Sequence, residues 1–420
     1  MNTIRVNWCK LTSGLVIALI ILQLFYATLL TQYNVQKEIN DRDRKAFLIS
    51  SEFDRMKRVY ENRHVIDSSG HYSIIPRIWI GSEMYEQRLK RDVTLVIHCS
   101  INRMYHLADI AKLWKGPISV VVFTPGQDAI VAMEHIIRLD YCEGSLMQRI
   151  VFHFVAPLTL PARDLKMYSN LDDRSICRLA FREMKMTKDI ESYGIRGVKY
   201  PNNLLRNVGI RHSQTEYILV ADADLAPKRT LREEFLEFAN RNDLFSANKM
   251  RERVVYVIPV FETINEESIP YDRRELFQGL NDGFIRQFYI EPCPKCQGIM
   301  DYDKWIVQYK NLKHSAPLDI AYFKNWSHPW EPFFIAHRNI PLYDERFMQY
   351  GYNRVSQICE MFIAEYHFAV LNHAFIIHMG HKLKHGFHES KQEEMFKNRQ
   401  LLHQFKIELK TKYPQSSRQC

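Results

Sequence analysis

The chain has 420 residues, 46% of them hydrophobic and 25% charged. That composition excludes a disordered or fibrous polypeptide and suits one large α/β domain, or two closely packed ones. The net charge of +9 is carried by lysines and arginines interspersed with acids. No basic helix with interleaved aromatics stands out, so the charge points to an anionic ligand rather than nucleic acid, while most of it reads as a generally basic solvated surface.

The first element is an apolar run from Leu11 to Leu30, broken only by Thr12, Ser13, Gly14, Gln23 and Thr28. It is long enough to span a bilayer core. Arg5 and Lys10 precede it, and the first lysine after it is Lys37. Positive charge on the N-terminal side places that end in the cytoplasm. A cleaved signal peptide is the competing reading, but the run exceeds a usual signal core and no small-x-small site follows it. The expected organisation is a cytoplasmic tail over residues 1–10, a signal anchor over 11–30, a stem over 31–75 and a lumenal domain over 76–420. The stem is polar, with helical spacing at Phe47, Phe53 and Met56.

From Pro76 onward, strands are expected over 93–99, 118–123 and 151–155, and helices over 105–114, 127–139, 175–185 and 202–210. This alternation indicates an α/β fold, a mostly parallel sheet wrapped by helices. A charged helix is expected over 389–412. Seven cysteines lie beyond the anchor, and an odd number leaves at least one unpaired or joined to another chain. Cys293 and Cys296 have no second pair at zinc-ribbon spacing. A local disulfide, or a partner elsewhere, fits them better than zinc. Asn325-Trp326-Ser327 is an N-glycosylation sequon.

The most informative stretch is Tyr217-Ile218-Leu219-Val220-Ala221-Asp222-Ala223-Asp224. It reads as a buried strand ending in two carboxylates. Residues i and i+2 of a strand point the same way, so Asp222 and Asp224 are expected on one side, at the strand end where α/β sheets bind ligands. Paired carboxylates suit a hard divalent cation, Mg²⁺ or Mn²⁺, able to clamp a diphosphate leaving group. The bland alternative is an acidic turn capping the next helix, but Thr230-Leu231-Arg232-Glu233 already offers a capping box there. A second Asp-x-Asp, Asp301-Tyr302-Asp303, follows no apolar strand and reads as a solvated loop.

Four further groups bear on chemistry. Arg206 and Asn207 could contact a diphosphate or uracil; the alternative is that Arg206 merely braces the acidic strand end. Trp330-Glu331-Pro332-Phe333-Phe334 combines aromatic surface for a sugar ring with a candidate general base, Glu331; its alternative is a packed aromatic turn. Tyr343-Asp344-Glu345-Arg346 is an acidic cluster or an ordinary salt-bridged turn. His378, at the end of Phe375-Ile376-Ile377, either completes a carboxylate-held metal or is structural; His385 and His388 follow it.

Several of these segments, in order, resemble glycosyltransferase family 49. They are Tyr200-Pro201-x-Asn203-x-Leu205-Arg206-Asn207 before Asp-x-Asp, then Pro329-Trp330-Glu331-Pro332-Phe333. Asp344-Glu345-Arg346-Phe347-x-x-Tyr350-Gly351-Tyr352-Asn353-Arg354 and Ile377-His378 complete the series. The resemblance runs from about Ile78 to the C-terminus. It implies a GT-A type, Rossmann-like fold, a UDP-glucuronate donor, Mn²⁺, and transfer with inversion to a terminal xylose of a glycoprotein O-glycan. It also implies a single-pass type II Golgi membrane protein, open to complexes with other Golgi transferases. By position, Asp222, Asp224 and His378 become the metal set, and Asp222, Arg206 and Asn207 the donor contacts. Related turns often carry a Glu-Asp pair after the glycine. Here Tyr352-Asn353 follows Gly351, which moves the base to Glu331, with Asp344 the second candidate. Lys382, Lys384 and Arg338 are candidates to pair with the glucuronate carboxylate. The alternatives are transfer of another sugar, such as N-acetylglucosamine from its UDP donor, and an inactive Golgi glycan-binding scaffold.

Overall fold

The computed structural model describes residues 8–84, 90–167, 177, 197–264, 269–298, 300–313, 316–384 and 390–420. The chain forms strands β1 (Val65–Ile66), β2 (Tyr72–Ile80), β3 (Lys90–Ser100), β4 (Ile118–Phe123), β5 (Ile150–Pro157), β6 (Thr215–Asp222) and β7 (Leu225–Pro227). These are followed by β8 (Val254–Ile258), β9 (Val260–Thr263), β10 (Ile285–Gln287), β11 (Ile320–Lys324), β12 (Phe333–His337), β13 (His367–Leu371) and β14 (Ile376–Met379). A ten-stranded sheet runs β1-β2-β5-β4-β3-β6-β12-β8-β13-β11, and a four-stranded sheet runs β10-β9-β14-β7.

β5, β4, β3 and β6 are mutually parallel. β4 and β5 are buried along their whole length, as strands covered on both faces must be. The strands expected from sequence fall here. The sheet as a whole is mixed rather than mostly parallel, because β12 enters antiparallel between β6 and β8, with Ile335 opposite Leu219 on one side and Tyr256 on the other. The result is an α/β arrangement: a parallel half joined to a mixed half at β6. At that joint the chain leaves the large sheet and starts β7 of the small one. The Asp222-Ala223-Asp224 segment is the crossing point.

The helix Asn202–Arg211 lies against β3 and β4. Its contact is close enough that a Cβ on Gly209 would fall 2.4 Å from Val96 Cγ1. Only glycine allows this approach, which presses Asn203, Arg206 and Asn207 into the interior, all of them buried.

The N-terminal region is one continuous helix, Trp8–Asn62. Its stretch Val16–Asn40 is long and apolar enough to cross a membrane and is exposed. Further along, Ile49, Phe53, Met56 and Tyr60 are buried in the main core. Their spacing of four, three and four residues is a helical stripe. The helical reading of Phe53 and Met56 holds, and packing starts well before Pro76.

Three disulfides join Cys142 to Cys177, Cys293 to Cys296 and Cys359 to Cys420. Cys99 is free and buried, its thiol pushed up to about 12 by burial. The helix expected over 175–185 lies, Cys177 apart, outside the described residues, as do His385 and His388.

Two local expectations are corrected. Thr230 precedes the helix Leu231–Arg241 but forms no capping box. Its backbone (φ −99°, ψ 3°) is not in the extended region a cap needs, and its hydroxyl donates to Glu234 instead, at 2.8 Å. Asp301 is not in a solvated loop. It caps the helix Tyr302–Asn311 by accepting from the Lys304 amide.

The buried stripe makes the stem part of the core. A chain begun at residue 72 should unfold at clearly lower denaturant than one begun at residue 46. Phe53→Ala in the longer chain should cost about 3–5 kcal/mol, read from urea melts. Equal midpoints for the two lengths would show that the helix adds no packing.

Candidate active site

β6 delivers Asp222 to a buried cluster of cations. Arg354 donates from one terminal nitrogen to both carboxylate oxygens, each at 3.2 Å, and Arg206 reaches Oδ1 at 3.4 Å. His98, on the neighbouring β3, lies 3.1 Å from Oδ1 through Nε2, while its Nδ1 meets the Tyr200 hydroxyl at 3.0 Å. Burial pushes the Asp222 carboxyl up, but Arg354, the His98 hydrogen bond and Arg206 outweigh it and hold the group far below the usual carboxylate range. Its side chain is still 38% accessible, so one edge faces outward.

Arg354 is positioned by an unusual turn. Gln349 (φ 57°), Gly351 (φ 90°) and Tyr352 (φ 57°) all adopt left-handed backbone, which costs energy for the two non-glycines. Asn202, Asn203 and Asn353 hold the turn through hydrogen bonds to Gln349 O, Asn353 O and Gln349 O. The Arg354 guanidinium lies 4.0 Å above the Phe333 ring.

Asp224 faces different partners. Its Oδ2 is 3.1 Å from His378 Nε2 and 3.3 Å from Lys382 Nζ. β6 ends at Asp222 and residues 223–224 form a turn, so the alternation of a strand does not extend to the second aspartate. Asp222 and Asp224 are therefore not a matched pair, and among the described residues no three His, Cys, Asp or Glu side chains form a ready metal set. His378 nevertheless fits a cation. Its Nδ1 donates to Gly380 O at 2.5 Å, which fixes the ring. Its buried Nε2 lies 3.1 Å from Asp224 Oδ2. With its proton off, an imidazole nitrogen beside a carboxylate suits Mn²⁺.

Glu331 lies in the same region. Its amide donates to Cys296 O at 2.9 Å and its carbonyl accepts from the Gln297 side chain at 2.8 Å, so the Cys293–Cys296 turn fixes its backbone. Its carboxylate makes no hydrogen bond among the described residues. Burial raises its pKa, Arg354 and Arg206 lower it, Asp222 raises it, and the net direction is upward. Tyr289 and Tyr350, whose hydroxyls meet at 2.8 Å, feel the Glu331 charge. Tyr289 also joins the two aspartate clusters: it senses Asp222, and the adjacent Phe288 packs on His378 with tilted rings, centroids 5.2 Å apart.

Several expected site residues turn elsewhere. Asn207 accepts from the Tyr343 amide (3.0 Å) and donates to Tyr343 O and Glu345 (both 2.8 Å), so its amide is used up bracing that loop. Arg206 is enclosed by Asn203, Asn353 and Asp222. The bracing alternative describes Arg206, and Asn207 braces the Tyr343 loop instead. Asp344 is clamped by Arg346, at 2.6 Å from its terminal nitrogen, and Arg346 is held in turn by Glu408. An acid so paired is a poor base. Trp330 is fully buried and packs on Phe368, so it offers no surface to a sugar. Arg338 donates to Ser213 O and Arg211 O beyond the far end of β6. The Lys384 amide is bound to Glu291. Asn325 is exposed.

Residues 92–414 match the family described as glycosyl-transferase for dystroglycan. The Beta-1,4-glucuronyltransferase 1 of Danio rerio is 36% identical over 369 residues, covering 85% of this chain and 83% of that one. The Homo sapiens protein of the same name is 33% identical over 366 residues, with the same coverage of each. The Xylosyl- and glucuronyltransferase LARGE2s of Gallus gallus is 29% identical over 291 residues, 69% of this chain and 32% of its own length.

Arg354 lowers the Glu331 pKa, so Arg354→Met should raise it. If activity requires ionised Glu331, the acid limb of the kcat/KM–pH profile should move to higher pH. An unmoved limb in a folded variant would separate Arg354 from Glu331.

Proposed function

The chain belongs to glycosyltransferase family 49, the glycosyl-transferases for dystroglycan, and from that premise we propose that it moves glucuronate from UDP-glucuronate to a terminal xylose of a glycoprotein O-glycan, with inversion and with Mn²⁺. The observation that carries this reading is Glu331: a carboxylate free of hydrogen bonds, raised in pKa, beside the Asp222 cluster.

Asp224 and His378 would hold the metal ion, which would neutralise the diphosphate as it departs. Asp222 offers its open edge to hydroxyls of the donor. Arg354 and Arg206 act by charge, keeping Asp222 ionised and fixed. Glu331 accepts the proton of the acceptor hydroxyl as that oxygen bonds to the anomeric carbon and the bond to the UDP oxygen breaks on the opposite face. The upward shift that burial gives its pKa makes Glu331 a stronger base than a solvated glutamate.

The exposed apolar stretch Val16–Asn40 and three disulfides support a type II Golgi membrane protein with its catalytic domain in the lumen and a glycan on Asn325. Protease applied to sealed microsomes should leave the C-terminal domain intact. Its digestion without detergent would reverse the orientation.

The purified full chain should transfer from UDP-glucuronate to a β-xyloside in preference to UDP-N-acetylglucosamine or other UDP-sugars. Asp224→Asn should abolish transfer with the fold kept. Glu331→Gln should lower turnover by about 10²–10⁴-fold and remove the acid limb of the pH profile, because the base must be deprotonated to act. Turnover within a few-fold of wild type for Glu331→Gln would place the base elsewhere, and a preference for another donor would replace glucuronate.

A further inference from the structure

The cation beside Asp224 is part of the chain. Lys382 Nζ and His378 Nε2 both approach the same oxygen, Asp224 Oδ2, at 3.3 and 3.1 Å. The two ends of this lysine are held very differently. Its amide donates to the fully buried Glu262 carboxylate at 3.2 Å, and its carbonyl accepts from Arg286 at 3.3 Å. Arg286 is itself paired with Glu262 at 2.6 Å. The backbone of Lys382 is thus tied to the β9–β10 pair of the small sheet. Its side chain is about a third accessible, and Asp224 is the one acid it meets among the described residues. The anchor is fixed and the ammonium can swing.

We infer that Lys382 is a tethered counter-ion that occupies the metal's position on Asp224 and yields it when the divalent cation binds, then turns to the anionic donor. The inference rests on the proposed metal role of Asp224 and His378. Electrostatics supplies the argument. Without a metal, Asp224 is an enclosed carboxylate that needs a positive neighbour, and Lys382 and His378 are the groups in contact with it. A divalent ion on Oδ2 and Nε2 would stand against the ammonium, and like charges at that range repel. The ammonium must then leave, and its long flexible stem lets it do so without moving the backbone. A diphosphate bound to the metal brings negative charge to the same place, and the displaced ammonium is within a side chain's length of it. The same residue therefore opposes the metal alone and assists the nucleotide once the metal is in.

These two effects have opposite signs, which a merely structural lysine would not produce. Free Mn²⁺ is counted by its electron paramagnetic resonance signal in titrations of the detergent-solubilised full chain, and UDP binding is measured by calorimetry at saturating Mn²⁺. Lys382→Met should bind Mn²⁺ about 3–10-fold more tightly without nucleotide, and UDP several-fold more weakly with it. Lys382→Arg, which keeps the charge, should return both values toward wild type. Unchanged or weaker Mn²⁺ binding in Lys382→Met, with Asp224→Asn still losing the ion, would overturn this inference and leave the metal reading standing. Tighter Mn²⁺ binding with unchanged UDP binding would overturn the second role of the lysine. If wild type bound no Mn²⁺, the metal reading itself would fall, and this inference with it.

Discussion

A single carboxylate, Asp222, makes the centre of this molecule possible. Two guanidinium groups cannot be enclosed near one another in a protein interior unless an anion lies between them, because each ion removed from water carries a desolvation cost of several kcal/mol. Arg206 comes from the helix Asn202–Arg211 and Arg354 from the helix Asn353–Ile363. Asp222 comes from the end of β6. Three distant segments are thus obliged to meet. The close seat of Gly209 on Val96 and the left-handed turn before Arg354 are the local distortions that let them do so. Without Asp222, both distortions would bring together charges that repel.

The two aspartates then divide the work by how tightly they are held. Asp222 is surrounded by groups that are themselves braced: Arg206 by Asn203 and Asn353, His98 by Tyr200, Arg354 by Phe333. Such an anion is preorganised and needs no rearrangement when substrate arrives. Among the described residues, the Asp224 carboxylate pairs with only a ring fixed by one carbonyl and an ammonium on a flexible stem. On the proposed roles, rigidity at the first and exchange at the second would let the donor be positioned while its counter-ions change during turnover. Glu331 sits between these regimes. Its backbone is fastened to the Cys293–Cys296 turn, while its carboxylate makes no hydrogen bond among the described residues.

The sequence shows the parallel half of the fold clearly, because β3 to β6 are continuous apolar runs separated by periodic helices and short turns. It also marks the Asp-x-Asp segment and His378, at a strand end, as candidates for the site. It does not show that the aspartates part company, since that depends on a turn at Ala223 where the strand pattern would continue. Arg354 leaves no local signal either: its partner Asp222 is 132 residues away, and only the folded chain brings them together. Asn207 and Asp344 mislead for the opposite reason. Their residue types suit ligand contact, but each finds its hydrogen bonds inside the protein, through the Tyr343 amide and the Arg346 side chain. The mixed half of the sheet is hard to read because β8 to β14 are short and their order in space departs from their order in sequence.

Anchored in a bilayer, the long N-terminal helix would set how far the enzyme can reach. Its exposed apolar stretch ends at Asn40 and its first core residue is Ile49. At 1.5 Å of rise per residue, that interval is only about 14 Å of helix. A flexible tether would let a catalytic domain sweep a wide volume and work on glycans at any height. A short helical post merged with the core does not. With Val16–Asn40 in a bilayer, the domain would stand close over the lipid surface, its distance and tilt coupled to the anchor. Acceptors would then have to bring their glycan ends down to the membrane, and lengthening or breaking the helix between Asn40 and Ile49 would change which glycoproteins can be served without altering any residue of the site.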